Sequence, residues 1–313
     1  MYSLLYITNL RCNFLKNSVY FVKKEGKTMK RKCWCGSQLD YHDCHEAFDK
    51  KLKQYKKHGY LIPNHKMIKN EKQIEAIKRA AVVNNGLLDY IEEHIQIGMT
   101  TQDIDDMAVA YTSSHGGYSA DLNYEGYPKS ICTSVNDEVC HGIPGDYVLQ
   151  DGDIINVDAT TGVNGYYADA SRMFMLGHVS EEAQRLVKVT KECLEEGMKA
   201  VKPWESTIAD IGTAIEKHAH ANGYSVVEEF CGHGIGKAMH EDPYVYHYTP
   251  KEKTVLIVPG MVFTIEPMIN QGTRHIHLGT DNDWTVYTDD GKLSAQWEHT
   301  FLMTEHGLEI LTY

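Results

Sequence analysis

Asp158 and Asp169 share one short stretch, Ile155-Asn156-Val157-Asp158-Ala159-Thr160-Thr161-Gly162-Val163-Asn164-Gly165-Tyr166-Tyr167-Ala168-Asp169. Two β-rich runs flank a turn containing Gly162, Asn164 and Gly165, the pattern of a hairpin. Facing residues of an antiparallel hairpin have position numbers with a constant sum. Asp158 and Asp169 centre between Val163 and Asn164, so the carboxylates are expected as near cross-strand neighbours. Like charges so placed are unfavourable, and burying them is worse, unless a cation sits between them. A hairpin whose acids simply face water is the alternative.

Three further stretches offer ligands. Phe230-Cys231-Gly232-His233-Gly234-Ile235-Gly236 sets one His among glycines, which permit close approach of backbone to an ion or substrate. Val262-Phe263-Thr264-Ile265-Glu266-Pro267 ends an apolar strand on a carboxylate followed by a ladder-breaking Pro. Ser294-Ala295-Gln296-Trp297-Glu298-His299-Thr300-Phe301 puts Glu298 in mid-strand between large side chains. Taken singly, each of these acids is as well explained by a solvent-facing strand residue. Together, Asp158, Asp169, His233, Glu266 and Glu298 supply four carboxylates and one imidazole. That set neutralises two divalent cations and suits Mn, Fe, Co or Zn, as a two-metal hydrolytic site requires. Near the other end, Cys33, Cys35, Cys44 and His45 offer the four soft ligands of a closed tetrahedral zinc site. Reduced residues in a basic tail are the alternative there.

The chain of 313 residues accommodates one large domain plus an appendage. Residues 1–28 show neither helical nor strand period, and are expected to be disordered or not part of the natural protein, with Met29 as the natural start. Residues 29–57 hold the Cys/His motif and a Lys-rich helix over His45–Lys57, and 58–67 read as a linker. Residues 68–313 form the main domain. In it, Asn70 caps a helix carrying Ile74, Ile77, Ala81, Leu88, Ile91 and Ile95, and Thr100 or Thr101 caps a second. Strands follow to about Leu176, then helices from Ser180 and Ser206, then strands again. This succession hints at two similar halves, without repeated sequence. The formal charge of −12 divides unevenly: residues 1–70 hold 15 Lys and Arg against 5 acids, the remainder 16 against 38. A basic arm on an acidic body suggests contact with nucleic acid or a ribonucleoprotein; a solvated tail is as good a reading of charge alone. No apolar run reaches membrane-spanning length, Met1–Leu10 lacks the order of a secretory signal, and eight scattered Cys favour a reducing cytoplasm.

Two family resemblances follow from these residues. Cys33-Trp34-Cys35-Gly36-Ser37, Tyr41 and Cys44-His45 are similar to the SEC-C zinc motif. The ordered set Asp158, Asp169, Gly232-His233-Gly234-Ile235-Gly236, Thr264-Ile265-Glu266-Pro267-Met268 and Trp297-Glu298-His299-Thr300 resembles the type I methionine aminopeptidases over about residues 68–313. That resemblance implies an α/β (α+β) pseudo-two-fold "pita-bread" fold of the aminopeptidase/creatinase kind. It implies a dinuclear site on the five residues and removal of initiator Met from nascent chains by a metal-bridged hydroxide, preferably before a small second residue. His141, in Val139-Cys140-His141-Gly142-Ile143-Pro144, is then expected near the substrate amide, holding or protonating the departing nitrogen. His240 is expected to donate to the developing oxyanion, and Glu266 to shuttle the proton of the attacking water. Tyr124, Tyr127, Cys132, His141 and Trp284 become expected pocket walls, with Met239 where bacterial relatives usually carry Phe. A proline-specific aminopeptidase of the same fold and a non-catalytic pita-bread binding protein are the competing readings. The aromatic pocket with Cys132 speaks against the first and the complete ligand set against the second.

Overall fold

The computed structural model describes residues 31–313; the expectations for residues 1–28 and for Met29 as the start lie outside the described residues. The helices are α1 Tyr41–Cys44, α2 Glu46–Lys57, α3 Glu71–His94, α4 Thr101–Ser114, α5 Glu181–Lys199 and α6 Ile208–Ala221. The strands are β1 Tyr118–Ser119, β2 Cys132–Val135, β3 Glu138–Cys140, β4 Ile154–Val163, β5 Tyr166–Met175, β6 Ser225–Val226 and β7 Gly232–Gly234. They continue as β8 Glu241–Val245, β9 Val262–Ile265, β10 Met268–Asn270, β11 Ile276–Leu278, β12 Val286–Thr288, β13 Ser294–Gln296, β14 Glu298–Thr304 and β15 Gly307–Ile310.

The helices begin where the sequence provides caps. Asn70 and Gln73 form a capping box at α3, Thr100 and Asp103 at α4, and Thr207 and Asp210 at α6, while the Ser180 hydroxyl accepts from Ala183 N–H at α5. Each box satisfies donors that the first helical turn leaves free. Leu87, Leu88 and Ile91 of α3 and Ile104 and Ala108 of α4 bury against Ile155, Val157 and Ala159 of β4 and Ala170 and Phe174 of β5. Each buried Leu, Ile, Val or Phe among these contributes roughly 1.5–3 kcal/mol through burial, and each Ala less. In the second half, Leu186 and Leu194 of α5 and Ile211 and Ile215 of α6 pack with Phe263 of β9 and Phe301 of β14. The two halves share one nine-stranded sheet with the path β1-β4-β5-β14-β9-β7-β8, to which β2 adds beside β4 and β15 beside β14.

The β4–β5 hairpin corrects the expected register. Its ladder runs to Val163↔Tyr166, so Asp158 faces Ser171 and Asp169 faces Thr160. The two aspartates are diagonal neighbours, not directly opposed. The reason lies in the loop: Asn164 (φ 52°) and Gly165 (φ 76°) both adopt positive φ, as a two-residue type I′ turn requires. Gly162 stays in the strand, where a Cβ would meet the Tyr118 ring at 2.3 Å. Alternation along the strands still puts both carboxylates on one face, opposite the face covered by α3 and α4.

The Cys/His segment is packed against the main domain. Leu52 joins the large core, Phe48 meets Trp204 edge-on at 5.0 Å, and Lys51 Nζ lies 3.9 Å from the Trp204 ring centre. Residues 58–67, read from sequence as a linker, are themselves engaged: Leu61 bridges to Val255, and Pro63 and Met67 are buried.

Candidate metal centre and substrate pocket

Five neighbouring elements deliver the five predicted ligands to one place. Ser171 of β5 faces Asp158 across one ladder and Glu298 across the other, so these acids share a face with Asp169. Glu298 opens β14, because the chain breaks at Trp297 after β13, and so is not in mid-strand as the sequence suggested. Glu266 follows the end of β9, and His233 lies in β7 beside it. Donor atoms of Asp169, His233 and Glu298 all come within 4.8 Å of one another. His233 Nε2 is 3.7 Å from Glu266 Oε1 and 3.9 Å from Asp169 Oδ2. Asp158 lines the same cavity. His233 Nδ1 is 3.0 Å from the Gly234 carbonyl; donating there leaves Nε2 as the bare nitrogen facing the carboxylates. Thr264 Oγ1 donates to Glu266 Oε1 at 2.7 Å, and Thr160 Oγ1 to Asp169 Oδ2 at 2.8 Å.

The electrostatics of this cluster fit cations. Burial pushes the Asp169 carboxyl up to about 6 and Glu266 to about 8, and drives Asp158 and Glu298 well above the carboxylate range. Neighbouring acids add to this at Asp158, Glu266 and Glu298. Asp169 Oδ1 and Glu298 Oε1 are buried with no hydrogen-bond partner, an arrangement that costs free energy until something positive occupies it. The imidazoles are shifted oppositely: burial, with a lesser contribution from the neighbouring His240 ring, lowers His233 to about 3 and His141 to about 4.

The predicted walls close around the same cavity of about 250 Å³: Tyr124, Tyr127, Cys132, His141, Met239, His240 and Trp284 all line it with the five predicted ligands. The buried Tyr127 ring stands edge-on to Trp284 at 5.1 Å, and its hydroxyl lies 2.9 Å from the Gly142 carbonyl. His141 holds a positive φ of 56°, a strained backbone for a non-glycine residue, and its ring meets Phe230 edge-on at 5.3 Å. The His240 ring packs edge-on to His233 at 4.3 Å, and its Nδ1 is 2.9 Å from the Tyr124 hydroxyl. Sequence reading missed Asp121, Phe230 and Cys231, which also line the cavity. Asp121 accepts from Thr160 N–H at 3.0 Å, and burial followed by the Asp169 charge raises its carboxyl. An acid just ahead of the aromatic segment was its only signal. His247 was missed too: its Nε2 accepts from Glu266 N–H at 3.1 Å, and burial keeps the ring neutral.

The sequence profile described as metallopeptidase family M24 matches residues 75–305, and that of the SEC-C motif residues 31–47. The chain belongs to metallopeptidase family M24. Among its relatives in that family, methionine aminopeptidase A of Synechocystis is 52% identical over 244 residues, 78% of this chain and 96% of that protein. Methionine aminopeptidase of Chlamydia pneumoniae is 40% identical over 289 residues, 91% of this chain and 99% of that one. The crystal structure of methionine aminopeptidase from Rickettsia prowazekii superposes with a TM-score of 0.76 at 41% identity, covering 79% of this chain and 99% of that chain. The M24 fold and the type I methionine aminopeptidase resemblance, with its N-terminal SEC-C motif, therefore stand, and the enzyme is a metal-dependent aminopeptidase requiring divalent ions.

Outside the M24 segment, Cys33, Cys35, Cys44 and His45 bring one donor atom each within 4.8 Å of one another. Cys35 Sγ and Cys44 Sγ are 3.7 Å apart, and the cysteines are free. That separation is far beyond a disulfide bond. It matches thiolates on a tetrahedral ion with bonds of about 2.3 Å.

Proposed function

We propose that this M24 enzyme removes N-terminal Met from nascent polypeptides, preferably before a small second residue, with Asp158, Asp169, His233, Glu266 and Glu298 holding two divalent ions. The observation that carries this reading is the meeting, in one cavity, of unpartnered buried carboxylate oxygens with a slot walled by Tyr127, Cys132, Met239 and Trp284. Aromatic and sulfur groups suit the thioether of a Met side chain. When bound, the ions supply Lewis acidity toward the scissile carbonyl and lower the pKa of water. The protein's own groups do the rest. With Nδ1 accepting from the Tyr124 hydroxyl, neutral His240 carries its proton on Nε2 and donates it as a hydrogen bond to the developing oxyanion. Burial keeps His141 neutral, so its ring N–H holds the departing nitrogen by a hydrogen bond while the proton that nitrogen gains is the one Glu266 returns. Glu266, oriented by Thr264 and His247, takes and returns the proton of the attacking water. Mn, Fe, Co and Zn all suit the donor set.

The decisive assay measures cleavage of Met-Ala-Ser, Met-Leu-Ser and an Xaa-Pro dipeptide with bound metal determined in parallel. We expect rapid cleavage of Met-Ala-Ser alone, its abolition by chelation and its return with Mn, Fe or Co. A chelated, washed enzyme of full activity would remove the metal site, and preference for the Xaa-Pro dipeptide would reassign the substrate.

Zinc on Cys33, Cys35, Cys44 and His45 completes the appendage, a donor set typical of closed structural sites. Lys50, Lys53, Lys56 and Lys57 of α2 are exposed, and this basic surface on an acidic body supports a ribosome contact and a cytoplasmic site of action. Among the described residues, no helix is long and apolar enough to cross a membrane.

A further inference from the structure

Three consecutive residues, Ile68-Lys69-Asn70, join the Cys/His motif to the catalytic domain. Ile68 forms an antiparallel bridge to Met261, Lys69 N–H donates to the Gly260 carbonyl at 2.7 Å, and the Asn70 amide donates to the Cys35 carbonyl at 2.5 Å. The Lys69 side chain turns inward and is buried, its own side-chain atoms only 4% exposed. Its stem passes beneath Gly236, where a Cβ would stand 2.9 Å from Lys69 Cε. Its ammonium ends against Glu241 Oε2. Glu241 is committed on its other side: Oε1 accepts from Lys237 N–H at 2.7 Å and from Ala238 N–H at 3.0 Å. One carboxylate thus ties both ends of the turn 236–241, and one buried lysine holds that carboxylate.

This turn carries Met239 and His240 into the cavity, whereas Lys69 and Glu241 do not line it. A buried ammonium with a single carboxylate partner is seldom a net gain in stability, so the pair calls for another reason. We propose that Lys69 is a positioning residue: through Glu241 it fixes the turn that aims His240 at the substrate carbonyl. The inference rests on the proposed role of His240, since a turn held in place matters only if what it presents takes part. An imidazole meant for a developing oxyanion must sit within hydrogen-bond reach of a defined point, and displacement by about 1 Å costs up to about a hundredfold in rate. The 236–241 turn is also held by Tyr167 N–H donating to the Gly236 carbonyl, by Gly236 N–H donating to the Ala238 carbonyl and by the pairing of Glu241 with Gly234, while the His240 ring meets the Tyr124 hydroxyl. Without the ion pair, the Glu241 carboxylate loses the group that holds it against the Lys237 and Ala238 amides, and the backbone between the β7–β8 pairing and Gly236 loosens around His240.

The test is a double-mutant cycle on the full-length, metal-loaded enzyme, cleaving Met-Ala-Ser. Lys69→Met is expected to lower kcat by about 10- to 100-fold, with KM changed less than about twofold, bound metal unchanged, and most of the loss recovered in Lys69→Arg. In a His240→Ala background the same substitution is expected to change kcat by less than about twofold, because the group it positions is gone. If Lys69→Met does not fold, Glu241→Gln keeps an acceptor for the Lys237 and Ala238 amides while removing the charge, and enters the same cycle with the same expectation. Wild-type kcat in either variant, or an equal loss in both backgrounds, overturns the positioning role. A His240→Ala enzyme as active as the wild type shows instead that the catalytic reading of His240 fails, and the proposal falls with it.

Discussion

At Asp169 and Glu298, one oxygen each is buried without a partner, and around them burial holds Glu266 at about 8 and Asp169 at about 6. On the proposed ligand set, cations would displace protons from these groups, so metal affinity is expected to rise with pH across about 6 to 8 and binding to release protons. Calorimetry in buffers of different ionisation enthalpy reads both. The metal-free fold has the opposite dependence. Between the ordinary carboxylate range and these raised values it binds more protons than the unfolded chain, so these acids lower its stability as pH rises. The buried imidazoles work the other way, adding stability as pH rises from about 4 toward 6.5, where His141 and His233 cease to differ from unfolded histidine. From about pH 6.5 to 8 the acids act alone, so the melting temperature of chelated protein should fall there. A flat or rising profile would show that the carboxylates are not buried as described. His240→Ala is expected to lower kcat by about 100- to 1,000-fold with metal content unchanged; loss of metal would make His240 a ligand.

The element that matters most to the site is the β4–β5 hairpin, whose register decides where Asp158 and Asp169 point. Asn164 and Gly165 hold that register through positive φ, and a β-branched residue at 165 cannot adopt it without strain. Gly165→Val is expected to destabilise the fold by about 1–3 kcal/mol and to reduce metal affinity together with stability. Urea unfolding and metal titration on one sample check the coupling: lost stability with intact affinity would detach the turn from the site. At the other end, Asn70 caps α3 and also reaches Cys35. Asn70→Ala is expected to cost about 1 kcal/mol from the cap.

Over the whole molecule, the helix α2 that follows the Cys/His motif is seated on Trp204 and on the core shared with α5 and α6. Losing the motif's metal should therefore loosen the catalytic domain's surface as well as the motif itself. Cys44→Ser is expected to remove one zinc and lower the melting temperature while leaving the dinuclear metal content unchanged. The charge division becomes a surface: α2 displays its lysines outward while Leu52 anchors it. Lys50→Glu/Lys53→Glu/Lys57→Glu is expected to reduce co-sedimentation with ribosomes at low salt without changing peptide cleavage. Equal pelleting would end the ribosome proposal.

Most of the local structure follows from the sequence alone, because caps and apolar periodicity act over a few residues: Asn70 at α3, Thr100 at α4 and Ser180 at α5 stand where their donors need them. The candidate ligands were legible only as a set, since one acid in an apolar strand is as well explained by water but four acids and one His together match two cations. The turn centre was not, because Gly162 and Gly165 both permit a turn, and only Tyr118 packing on Gly162 separates them. Nor could the sequence show Asp121, His247 or the Lys69–Glu241 pair, whose partners are distant along the chain and ordinary in type. What tertiary structure alone decided is how four strands and the residue after β9 bring their carboxylates and imidazole to one cavity, and how a lysine from the appendage junction comes to hold the turn behind His240. Those depend on sheet register and on burial, which no single stretch of residues encodes.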